Sequence, residues 1–141
     1  SETFGSAGTM PSYDAKNNQY FAKQEKSNVV RVIDAASNEI KNEIMLDLEK
    51  AGVEHHDITD HYIAFTNQNG FELVLLDVDH KKFLIFDING KFKGTSELPK
   101  SLKIRAKNHF NGLGYTNNSL FFVYIDSEGD FGTYHAYKIF K

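Results

Sequence analysis

Val29-Val30-Arg31-Val32-Ile33-Asp34-Ala35-Ala36-Ser37-Asn38 recurs, in altered form, about 53 residues further on as Lys82-Phe83-Leu84-Ile85-Phe86-Asp87-Ile88-Asn89-Gly90. In both stretches an apolar run closes on an apolar pair and an aspartate, and turn-forming residues follow. A third copy, Tyr134-His135-Ala136-Tyr137-Lys138-Ile139-Phe140-Lys141, reaches Lys141 after about the same interval. Self-similarity at a fixed period near this length marks solenoids, propellers and arrays.

The copies have strand character. Val30 and Val32 alternate with Arg31, as a half-buried strand requires. Working outward, strands are expected over residues 19–24 and 28–34, then over 61–66, 72–78, 82–88 and 91–98. Three more are expected over 113–115, 120–126 and 133–140. Asn69-Gly70 and Asn89-Gly90 lie between apolar alternations, the strongest short hairpin signal, because both turn positions need positive φ. Asp79-His80-Lys81 is another turn. Residues 1–11 are small and polar apart from Phe4 and Met10, which suits a flexible lead or an edge strand. A longer linker carries Pro99.

Residues 39–51 hold two patterns at once. Ile40, Ile44 and Leu48 are four apart, Ser37 can cap a helix and Gly52 can close it. A strand would instead place Ile40, Ile44, Leu46 and Leu48 on one face. The repeat favours the strand, because the segment after Asp87 is a turn followed by a strand. The expected fold is therefore all-β: antiparallel four-stranded meanders in about three units, over residues 8–48, 54–98 and 107–141. The alternative is an α+β domain with one helix at 39–51 on an antiparallel sheet.

Composition sets outer limits. The chain has 141 residues, 40% hydrophobic and 25% charged, with net charge −3. That is one domain, long enough to bury a core without staples. The charge balance argues against nucleic acid and anionic membranes as partners. No apolar run approaches the length of a membrane span. The absence of cysteine removes disulfides, thiolate metal sites and a cysteine nucleophile. It leaves the compartment open, with an extracytoplasmic one favoured.

Tyr13-Asp14-Ala15-Lys16-Asn17-Asn18-Gln19-Tyr20-Phe21-Ala22, continued by Asn28 to Asp34, resembles a blade of the YVTN or YncE-like β-propellers. Phe83-Leu84-Ile85-Phe86-Asp87-Ile88-Asn89-Gly90-Lys91-Phe92 is similar to blades of NHL-type and six-bladed TolB-like propellers. The resemblance implies about three blades. Propellers close with four or more, so it implies either a piece of a longer propeller or copies that complete a ring as a homo-oligomer. The third unit has no fourth strand, and we expect residues 2–6, from this chain or another copy, to pair with residues 133–140.

The densest polar cluster is Glu54-His55-His56-Asp57-Ile58-Thr59-Asp60-His61. Imidazoles and carboxylates at this density can hold a divalent metal, with His55, His56, Asp57 and His61 as candidate ligands. The spacing fits no standard motif, and adjacent His55 and His56 point to opposite faces of a strand. The favoured reading of the cluster is a polar loop entering a strand. In a propeller it borders the central channel, so His55, His56, Asp57, Asp60, His109, Asn111 and Tyr115 are candidate ligand-binding residues.

Asp126-Ser127-Glu128-Gly129-Asp130 resembles half of a calcium loop but fits a hairpin turn better. Asp77-Val78-Asp79-His80 also fits a turn. Residues 100–107 are basic and suit a solvated linker. The expected function is non-enzymatic binding or scaffolding, with a protein or carbohydrate partner and no cofactor. The alternatives are a propeller-type hydrolase or lyase using a divalent metal at 55–61, and a purely structural domain of a larger surface protein.

Overall fold

A computed structural model describes residues 11–23, 27–53, 63–77, 80–98, 109–116, 119–125 and 132–139. They form eleven strands: β1 (Ser12–Asp14), β2 (Gln19–Lys23), β3 (Val29–Asp34), β4 (Ile40–Met45), β5 (Ile63–Phe65), β6 (Leu73–Asp77), β7 (Lys82–Phe86), β8 (Phe92–Glu97), β9 (His109–Thr116), β10 (Ser119–Ile125) and β11 (Gly132–Tyr137). Every pairing is antiparallel between sequence neighbours, giving sheets β1-β2-β3-β4, β5-β6-β7-β8 and β9-β10-β11. No helix occurs among the described residues, and the fold is all-β.

The middle sheet has two covered faces. Leu73, Leu75, Leu84 and Phe86 pack with Phe21, Val30, Val32 and Ile44 of the first sheet. Val74, Leu76, Phe83 and Ile85 pack with Leu120 of the third sheet and with Leu98. This explains why Leu73-Val74-Leu75-Leu76 is continuously apolar while β3 alternates. A strand buried on both sides has no face to give to water. Full burial of such side chains contributes roughly 1.5–3 kcal/mol each.

The first two sheets repeat one another in detail. In both, the pairing of the third with the fourth strand shifts register at the same place, between Val32 and Ile33 and between Ile85 and Phe86. The bulges skip Lys41 and Lys93. In both, a buried leucine after the fourth strand donates its N–H to the residue before the third: Leu46 to Asn28 at 2.8 Å, Leu98 to Lys81 at 3.0 Å.

The recurrent aspartate closes the turn. Asp34 Oδ2 accepts from Ser37 N at 2.9 Å and Ser37 Oγ at 2.7 Å. Asp87 Oδ1 accepts from Asn89 N at 2.9 Å and Lys91 N at 3.0 Å. Asn38 and Gly90 hold the left-handed position of these turns, with φ of 61° and 87°.

The segment after Ile40 resolves as a strand and then a tight turn. Leu46 and Leu48 are buried with Ile44, as the strand pattern requires. Ile40 is not: it is 39% exposed, because the bulge at Lys41 breaks the two-residue parity. Ser37 serves the Asp34 turn rather than a helix. β11 ends at Tyr137, short of the expected residue 140, and β1 supplies the short first strand that a four-stranded unit over residues 8–48 calls for. Residues 2–6 and 100–107, and the 126–130 turn, lie outside the described residues.

The first two sheets are clasped at Gly90. Its carbonyl accepts from Asp47 N at 2.9 Å. A Cβ on Gly90 would fall on the Met45 carbonyl oxygen and crowd Ile44. Gly70 also has positive φ, at 85°, but open space around it. Replacing Gly70 with alanine should therefore cost about 1 kcal/mol, for backbone strain alone. Gly90→Ala should cost about 3 kcal/mol or more, since neighbouring backbone must also move. Denaturant unfolding of the two variants measures the gap, and equal losses would dissolve the clasp.

The Ser37 hydroxyl, with the Ser37 N–H second, holds the Asp34 carboxyl below its ordinary value. A lowered native pKa adds stability above the unfolded-state value and loses it as pH falls through the native one. Ser37→Ala should raise the Asp34 pKa toward the ordinary aspartate range. A carboxyl NMR titration of the two proteins reads this directly.

Candidate functional site

The ends of the three first strands meet. β5 contacts both β1 and β9. Phe65 N donates to Ser12 Oγ at 2.9 Å, joining β5 to β1. The Phe65 ring stacks on Phe21 at 4.8 Å. Gln68 Nε2 donates to the Tyr115 hydroxyl at 3.2 Å, joining the turn after β5 to β9.

These junctions frame a groove of about 670 Å³, within the usual range for a small-ligand site. The first sheet supplies Tyr13, Asp14, Ala15 and Lys16. The second supplies Phe65, Thr66, Asn67 and Gln68, and the third Tyr115 and Thr116. The lining is mostly hydroxyl, amide and phenol.

Local chemistry fixes each wall. Asp14 is buried, and its carboxylate accepts from Asn17 N at 3.3 Å, Asn17 Nδ2 at 2.8 Å and Gln19 Nε2 at 3.0 Å. It thereby shapes the β1–β2 turn that presents Lys16. Thr66 is also buried: its hydroxyl donates to Phe71 O at 2.8 Å and accepts from Gln68 N at 3.0 Å. That bond pins the turn carrying Asn67, whose φ is 57°. Tyr13 stays about half exposed, its hydroxyl bonded to Asn18 Oδ1 at 2.7 Å and its ring 5.0 Å from Tyr20.

Of the residues singled out from sequence, Tyr115 lies in this groove. His109 and Asn111 are on the same strand, β9. His55, His56, Asp57, Asp60 and His61 lie outside the described residues, in the segment leading to β5. Among the described residues no group of three or more histidines and acids is placed to hold a metal. Asp77 and His80 form the expected turn, with His80 N and Nδ1 at 3.2 and 2.8 Å from the buried Asp77 carboxylate.

Tyr13, Asp14, Lys16, Asn67, Gln68 and Thr116 escaped sequence reasoning. One signal was available: Asp14 and Asn67 are themselves about 53 residues apart, each at or just past the end of a first strand.

No family model matches the chain, and no curated protein matches it. Among solved structures it is similar to Kuenenia stuttgartiensis hydrazine synthase, at 11% identity and a TM-score of 0.49. The similarity covers 86% of this chain and 33% of that one.

The buried Asp14 carboxylate accepts three hydrogen bonds from its own turn, so Asp14→Ala loses all three at once. The expected cost is about 2–3 kcal/mol. Thermal unfolding measures it, and an unchanged midpoint would show that the turn holds without this carboxylate.

Proposed function

We propose that this chain is a non-enzymatic binding module of propeller-like build. Its three sheets act as blades, and the groove at the ends of β1, β5 and β9 receives a protein or carbohydrate partner. One observation carries this reading. Three strand ends, each about 50 residues from the next in sequence, deliver side chains to a single groove. Repeat folds characteristically collect the loops of one end into a shared recognition surface. The engagement of Asp14 with its own turn supports recognition over acid–base chemistry, since a catalytic carboxylate must face the reacting proton.

Thr116 is exposed at the rim of the groove, so a tryptophan there would fill it without disturbing the core. Arrays of neutral oligosaccharides and of peptides, probed with labelled protein, should show saturable binding in one class. Thr116→Trp should weaken it at least about tenfold. Binding that survives the plug would move the function to another surface.

A further inference from the structure

We infer that the ligand of the groove is a neutral saccharide, a conclusion that rests on the groove being the binding site. β5 contacts β1 on one side and β9 on the other. The groove is therefore flanked by Tyr13 from one sheet and Tyr115 from another, with Asn67 and Gln68 on the turn between them. Tyrosine offers a rigid ring with a polar tip, at little cost in side-chain entropy. Amides and hydroxyls can both donate and accept. Rings at the flanks and two-way hydrogen bonders between them match a molecule with apolar C–H faces and an equatorial rim of hydroxyls.

Other ligand classes fit less well. An anion needs uncompensated positive charge or a cluster of free N–H donors, but the lining holds Lys16 as its one described cation, together with the Asp14 carboxylate. A peptide is usually captured through main-chain pairing or apolar anchor pockets. The apolar ring of this lining, Phe65, is already stacked on Phe21. A lipid or other apolar ligand would find hydroxyls, amides and phenols where it needs hydrocarbon.

The test is an NMR titration of the isotope-labelled chain with neutral disaccharides of glucose, galactose, mannose and N-acetylglucosamine, beside a peptide library. One of the disaccharides should shift the amides of Tyr13, Lys16, Gln68 and Thr116 saturably. Tyr13→Ala and Tyr115→Ala should each weaken binding at least about tenfold, while Met45→Ala, on an outer strand, should leave it unchanged. Tyr115 packs against the second core cluster, so the half-exposed Tyr13 and the wild-type shifts keep the test decisive if Tyr115→Ala unfolds. Peptide binding at these same amides would overturn the saccharide and keep the groove. Saccharide binding with shifts elsewhere would overturn the groove itself. No response to any disaccharide would overturn the inference outright.

Discussion

The burial of both faces of the second sheet is the constraint on which the rest depends. Leu73 and Leu75 of β6 belong to the core shared with the first sheet, and Val74 and Leu76 to the core shared with the third. A four-stranded antiparallel sheet of this size ordinarily turns one face to water. Here neither face can be wetted without exposing leucine, valine and phenylalanine. The three sheets must therefore lie side by side with the second between its neighbours. That order in turn brings the first strands of all three to a common place.

Polar contacts then set the details that hydrophobic packing leaves loose. Apolar area has no direction, and it would tolerate sheets slipping past each other. The Asp47–Gly90 hydrogen bond and the close approach of Met45 to Gly90 fix the first sheet against the second just past β4. At the first strands, Ser12 to Phe65 ties the first sheet to the second, and Gln68 to Tyr115 ties the second to the third. The groove inherits its shape from these ties between first strands.

The architecture was largely legible because the repeat constrains turns as well as strands. The aspartate at the end of β3 and β7 performs the same hydrogen bonding in both sheets, and a residue kept for a turn is visible in sequence. The repeat also settled residues 39–51, where a local helical spacing competed with a strand. Leu46 and Leu98 make matching bonds, which only corresponding segments can do. The bulge hid the fate of Ile40, since an extra residue in one strand has no signature in hydrophobic alternation. The bounds of β1 were obscure because three residues, one of them apolar, carry no periodicity. The groove was obscure for another reason. Its residues are polar, come from three separate turns, and look like punctuation until the sheets are packed.

The bulges have a consequence at the rim. β4 and β8 are edge strands of their sheets, each with one side of its backbone unpaired within its sheet. β4 is mostly exposed and β8 alternates between exposed and half-buried residues, and an edge strand of that kind is a template on which other chains can add. At each bulge the skipped residue is a lysine. Lys41 reaches Gln19 Oε1 at 2.9 Å, and the Lys93 ammonium lies 5.6 Å from the Phe71 ring centre. A kinked ladder beside a fixed positive charge is a poor surface for another strand to extend, so the device that shapes each outer strand also protects the protein from aggregating through it.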